Sequence, residues 1–341
     1  MTETLRSREV HLVSRPVGAP VPENFAVVTT AVPEPAEGQV VVRNTWMSVD
    51  PYMRGRMNDA PSYIPPFALD AAMEGSAIGE VVASRDASVP VGATVSHFLG
   101  WREYAVVDAA GATVIDPALG RPQDYLGALG TTGLTAYAAL TRIAPVEEGD
   151  VVFVSAAAGA VGSVAGQLAR KLGASRVIGS AGGPAKTKKL LDGFGYDAAV
   201  DYRQRALAEQ LAQAAPEGID VYLDSVGGDH LQAAIGAMRA GGRIALVGAI
   251  SGYDATEPAP GPDNLFQAAA REVTLRGMLV SSYFELFPEW IEKAAAWLAD
   301  GSLHTEETIV EGIDQAPAAF LGMMRGANTG KMLVRLEGGR R

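Results

Sequence analysis

The sequence predicts an α/β protein: a six-stranded, doubly wound parallel sheet joined to a smaller β-barrel-like domain that the chain leaves and later re-enters. Three observations predict it. From Asp150 onward short apolar runs alternate with helical patterns, the signature of strands joined by right-handed crossover helices. The first 120 or so residues have a different texture, with short alternating segments parted by Gly and Pro turns. After Gly301 that texture returns.

In chain order, the alternating segments 39–44, 77–84, 92–97 and 103–108 read as strands of the small domain. Val151, Val152, Phe153 and Val154 then form a continuous apolar run, as a strand covered on both faces requires. Beyond a small-residue turn, Val161, Val164, Ala165, Leu168 and Leu172 recur at helical spacing and give one face to pack on the sheet. Strand-like segments at 176–180, 198–200, 220–224, 243–248 and 273–280 alternate with helical ones at 185–194, 205–215, 230–240 and 263–271. An amphipathic segment, 287–299, closes the series. In the tail, strands at 307–311 and 331–336 flank a helix at 314–325. The expected domains are therefore 1–124, 125–300 and a return over 301–341 to the first.

The strand-turn-helix at 150–173 is where a dinucleotide is expected. Gly159 lets the backbone approach a pyrophosphate and Gly162 lets helix and strand pack closely, while Val161 opens the helix whose N-terminus offers free N–H groups to the phosphates. Ala157 stands where the usual GxGxxG has its first glycine. The acidic residue that would hold the adenosine ribose of NAD at the end of the second strand is missing. Ser180, Gly182 and Gly183 are there instead, followed by Lys186, Lys188 and Lys189. A hydroxyl, an open turn and lysines attract a 2′-phosphate, so the expected cofactor is NADPH.

Composition removes other classes. A net charge of −11 argues against nucleic acid and against docking on anionic lipid. No apolar stretch approaches the roughly 18 residues of a membrane span, and MTETLRSREV lacks the apolar core of a signal peptide. A cytoplasmic enzyme is expected. Cysteine is absent, which excludes disulfides, thiolate nucleophiles and cysteine-ligated zinc. His11, His97, His230 and His304 are scattered and read as surface or satisfied core residues, so no metal site is expected. No GxSxG elbow appears.

Several segments carry a closer likeness: SVDPYMRGRM at 48–57, LGTTGLTAYAAL at 129–140, AAAGAVGSVAGQLARKLG from Ala156, SAGGPAK at 180–186, VGAISGY at 247–253 and EGIDQAPAAFLGMMRGANTGK at 311–331. With them the chain resembles, along nearly its full length, the zinc-free medium-chain dehydrogenase/reductases, and among these the alkenal and enone double-bond reductases. The resemblance implies a GroES-like barrel domain flanking a Rossmann domain, and NADPH-dependent reduction of α,β-unsaturated ketones or aldehydes. It implies that Lys186 and Tyr202 contact the 2′-phosphate, that Asn328 lies near the cofactor, that Tyr253 orients the substrate carbonyl and that Tyr52 lines the substrate pocket. Asp254 departs from the family's usual asparagine.

Hydride addition to an enone places negative charge on the carbonyl oxygen, for which Tyr253 and a ribose hydroxyl are the candidate donors. The α-carbon proton can come from water, so no His or Glu acid is demanded. The 58–67 loop, with its PSYIPP run, reads as an apolar, rigid pocket wall. Two alternatives stay open at this point: reduction of quinones with the same fold and cofactor, and a non-catalytic NADPH-binding role. Strand 273–280, as the last of the sheet, suits pairing with a second copy in a homodimer.

Overall fold

The computed structural model describes residues 5–204 and 206–336. Two compact units emerge, one built from the chain up to Leu126 and again from Glu307 onward, the other from Gly127 to Glu306.

The first unit begins with β1 (Arg6–Leu12), β2 (Phe25–Ala31), β3 (Gln39–Ser48), the short helix α1 (Met53–Arg56), β4 (Ala71–Ala72), β5 (Ala77–Ser84), β6 (Thr94–His97), β7 (Tyr104–Asp108) and β8 (Thr113–Val114). A three-stranded antiparallel sheet takes the order β2-β1-β4. In the larger sheet β3 pairs antiparallel with both β5 and β7, which is why Val40 and Val42 are wholly buried. His97, on β6, is a satisfied core residue. Its Nδ1 accepts from the Leu99 N–H at 3.0 Å, so its Nε2 carries the proton and donates to Asn44 Oδ1 at 2.8 Å.

The second unit opens with α2 (Thr131–Ala138) and alternates thereafter: β9 (Val151–Val154), α3 (Ala160–Lys171), β10 (Arg176–Ala181), α4 (Pro184–Gly193), β11 (Ala198–Asp201), α5 (Leu207–Ala214), β12 (Ile219–Asp224), α6 (Gly228–Ala237), β13 (Met238–Leu246), α7 (Leu265–Ala270), β14 (Thr274–Gly277) and α8 (Phe287–Ala299). All six strands pair parallel in the order β11-β10-β9-β12-β13-β14. The order reverses between β9 and β12, the switch point outside whose carboxyl ends such sheets bind ligands. Phe153 and Tyr222, on these two strands, stack with centroids 4.9 Å apart in the buried core.

Two sequence expectations are corrected here. The helix expected over 230–240 ends at Ala237, because Met238 is already extended, pairing with Ile219 and buried in the core. The strand expected over 273–280 is confined to Thr274–Gly277: its partner β13 ends at Leu246, opposite Gly277, and the chain turns into a 3₁₀ segment at Val280–Leu286.

The chain returns to the first unit through β15 (Glu307–Glu311), α9 (Ala316–Met324) and β16 (Lys331–Arg335). β16 pairs parallel with β15 and antiparallel with β3. The return completes a core: Phe320, on α9, packs edge-on against Phe25 and Trp101, with Met53, Met332 and Val334 around them.

Candidate active site

The turn between β9 and α3 is shaped by close backbone packing. Ala156 takes a left-handed φ of +47°, uncommon for a residue with a side chain. A Cβ on Gly162 would lie 2.5 Å from both the Ala156 carbonyl oxygen and Ala157 Cα, so only glycine lets α3 sit this close to the turn. The Ala157 departure has a structural counterpart on β10: a Cβ on Gly179 would come within 2.7 Å of Ala157 Cβ. Room usually given by the first glycine of the turn is given by the neighbouring strand. Gly159 is the N-cap of α3, with no side-chain cap on the helix start, and Val161 is half-buried in the first turn. The unpaired N–H groups and the positive dipole end of this twelve-residue helix therefore face outward for an anion.

Beyond β10 a second turn collects cations. A Cβ on Gly182 would lie 2.7 Å from Tyr202 Oη and 2.8 Å from Arg203 Nε, so glycine here leaves a shallow cradle under both groups. Asp201 shapes it, its Oδ1 accepting from the N–H groups of Gly183 at 2.9 Å and Arg203 at 3.0 Å. Lys186, in the first turn of α4, has its pKa lowered by burial and further by the charge of Arg203. Two cations that repel one another around a hydroxyl and a glycine turn suit a phosphate dianion. Arg203 is a residue that sequence reasoning missed. Its signal, an arginine directly after Tyr202, is visible only once the fold brings it over Gly182.

Ser180 Oγ, Asp201 Oδ2, Asp224 Oδ2 and His230 Nε2 are buried without a hydrogen-bond partner. All four lie at or just beyond the carboxyl ends of β10, β11 and β12. Leaving a buried polar atom unpaired costs roughly 1–3 kcal/mol, so such a concentration at the ligand-binding edge of the sheet is what a polar cofactor would relieve.

Tyr253 follows a 3₁₀ turn, Ile250–Gly252, and is half-buried. The turn is tied to the loop after β12: the Ile250 N–H donates to Ser225 O at 3.2 Å, and Ser251 Oγ to Val226 O at 2.6 Å. The Tyr253 hydroxyl therefore stays at the carboxyl edge of the sheet, 3.5 Å from the Ala249 N–H. Asp254 is likewise half-buried.

In the first unit, Tyr52 is half-buried with its hydroxyl out of solvent and without a partner. Burial, helped by the Asp50 charge, pushes its pKa well up, so it remains a neutral donor. Asn328 Nδ2 donates to Gly330 O at 2.8 Å, and Thr308 Oγ1 braces the next residue by donating to Thr329 O at 2.9 Å. The Tyr52 and Asn328 segments are joined by a buried ion pair between Lys331 and Asp50. Lys331 Nζ also donates to Val49 O at 3.2 Å. The 58–67 loop is held at its ends by arginines: Arg15 donates to Met57 O and Phe67 O, and Arg56 to Pro65 O while lying 4.1 Å above the Phe67 ring. Among the described residues, no group of three or more His, Asp or Glu could hold a metal ion.

Comparison with known proteins places the chain. Residues 8–115 match the family described as the N-terminal domain of oxidoreductase, and residues 160–300 the one described as zinc-binding dehydrogenase. The chain is 42% identical over 98% of its length to a putative NADP-dependent oxidoreductase of Bacillus subtilis, of which it covers 99%. It is 38% identical to the NADPH-dependent curcumin reductase of Escherichia coli, covering 98% of each chain. The crystal structure of CurA from Vibrio vulnificus in complex with NADPH superposes with a TM-score of 0.92 at 39% identity, over 97% of this chain and 100% of that one. The fold and these relatives define a medium-chain dehydrogenase/reductase. The chain belongs to the zinc-free alkenal and enone reductase branch of that family and is an NADP-dependent oxidoreductase.

Proposed function

We propose that the protein reduces the carbon–carbon double bond of α,β-unsaturated ketones or aldehydes at the expense of NADPH. The observation that carries this is the pairing of a phosphate-suited cradle at Gly182, Lys186, Tyr202 and Arg203 with a tyrosine, Tyr253, held at the same sheet edge. NADPH, when bound, supplies the hydride. The β9–α3 turn, through Ala157, Gly159, Val161 and Gly162, would hold the pyrophosphate; Ser180, Gly182, Lys186, Tyr202 and Arg203 would hold the adenosine end, and Asn328 is a further residue assigned to the cofactor. The Tyr253 hydroxyl donates a hydrogen bond to the substrate carbonyl oxygen, where charge develops as the β-carbon is reduced. Tyr52, its hydroxyl out of solvent and neutral, lines the pocket and presents a hydrogen-bond donor. Solvent supplies the proton for the α-carbon.

No helix among the described residues is long and apolar enough to cross a membrane. A cytoplasmic homodimer belongs to the same reading. Among the described residues β14 ends the sheet with no further strand beside it, and Leu265, Phe266 and Phe284 nearby in sequence are exposed, Phe266 by 83%. Such an apolar edge suits a second copy. Quinone reductases resemble the chain at 22% identity, a likeness of fold alone. Measuring NADPH oxidation over a panel of enones, enals and quinones, with products identified, tests the proposal. Saturated ketones or aldehydes are expected; turnover confined to quinones would replace the reading.

A further inference from the structure

His230 stands out among the buried polar groups that the chemistry above does not use. It lies in the first turn of α6, six residues beyond the end of β12, and only 6% of it is exposed. Its Nε2 is buried without a partner, unlike the two ring nitrogens of His97, each of which has one. Burial lowers its pKa, with Asp224 and Asp229 opposing, so the ring is neutral and carries one N–H and one acceptor. The ring meets Tyr202 edge-to-face, with centroids 5.3 Å apart at 71°. Tyr202 is 43% exposed and sets its hydroxyl over the Gly182 turn. His230 thus backs the residue that faces the cofactor's 2′-phosphate, at the edge where Ser180, Asp201 and Asp224 also keep unpaired polar atoms.

We propose that His230 is a cofactor-binding residue: its Nε2 forms a hydrogen bond with the adenosine portion of NADPH, and its ring edge holds Tyr202 in place. An apolar ring would pack against Tyr202 equally well and leave no unpaired atom. A histidine serves better than phenylalanine only when something fills its hydrogen bond. The inference rests on the reading of the Gly182 turn as the 2′-phosphate site.

The test uses 2′,5′-ADP, which carries the adenosine and the 2′-phosphate but no nicotinamide, with affinity measured by calorimetry. In His230→Phe an aromatic ring is kept against Tyr202 while both ring nitrogens, Nε2 among them, are lost, so the Kd for 2′,5′-ADP is expected to rise roughly 5- to 10-fold, with a thermal midpoint no lower than that of the unaltered protein. In the unaltered protein labelled with ¹⁵N-histidine, the His230 ring signal is expected to move on titration while that of His97 stays. Equal affinity in His230→Phe, or a His230 signal that does not respond to saturating 2′,5′-ADP, would overturn the inference and leave the cofactor site standing. Failure of the unaltered protein to bind 2′,5′-ADP at all would remove the 2′-phosphate reading and the inference with it.

Discussion

Removing the Lys186 charge should shift cofactor choice more than any other single change. Lys186 is partly buried, which lowers its pKa, and the Arg203 charge lowers it further. Both cations are therefore held close together in the free protein. A charge-assisted hydrogen bond to a phosphate contributes roughly 1.5–3 kcal/mol, so Lys186→Ala should raise the Kd for NADPH about 10- to 100-fold. Arg203 is exposed, and solvent screening reduces its share to about 0.5–1 kcal/mol, a loss of roughly 2- to 5-fold. Because each cation relieves the other when it is removed, the double variant should lose a different amount from the sum of the two single losses. NADH, which has no 2′-phosphate, should bind all three variants as it binds the unaltered protein. The sign of the pH dependence follows from the lowered pKa: Lys186 gives up its proton below the usual lysine range, so NADPH affinity should weaken with rising pH, and Lys186→Arg should flatten that decline. Fluorescence titration with each cofactor across pH reads all of this. An unchanged NADPH preference in Lys186→Ala would refute the cation argument.

Tyr253→Phe should lower kcat/KM for an enone by roughly 10- to 100-fold while NADPH affinity stays, because the lost hydrogen bond strengthens mainly as charge develops; wild-type kinetics would assign Tyr253 to packing. Gly162→Ala should cost about 1–3 kcal/mol of stability and weaken NADPH binding, since its Cβ meets backbone rather than a movable side chain; a denaturation midpoint equal to the unaltered protein's would contradict the close packing. Burial holds His97 neutral, with its pKa pushed down to about 3 from 6.5, so between those values the unfolded chain binds the extra proton. Stability should be complete above pH 6.5 and fall below it, with a limiting slope of about 1.4 kcal/mol per pH unit. His97→Gln should lose part of that acid sensitivity in thermal melts from pH 7 to 5.

What the sequence made legible follows the strength of local pattern. Val151–Val154 and Phe287–Ala299 are readable to the residue, one from an unbroken apolar run and the other from an amphipathic stripe. The limits of β14 were not, because they depend on where β13 stops, a fact of pairing and not of composition. β1 and β2 are harder to read: β1 (RSREVHL) is largely polar, and in β2 (FAVVTTA) only Phe25 is buried, so neither carries a clear apolar/polar alternation in its sequence. At the site, glycines and lysines are visible as motifs, whereas Arg203 and His230 acquire meaning through contacts across the strand ends, with Gly182 and Tyr202 respectively. The Gly179 space that accommodates Ala157 is likewise a property of neighbouring strands.

The most direct measurement follows a label. With NADPH carrying deuterium at the transferred position of its nicotinamide C4, an enone should give the saturated ketone with one deuterium on the β-carbon. With unlabelled NADPH in heavy water the deuterium should appear on the α-carbon, marking solvent as the proton source. Label on the former carbonyl carbon, with an allylic alcohol as product, would contradict reduction of the double bond, and product without label would contradict hydride transfer altogether.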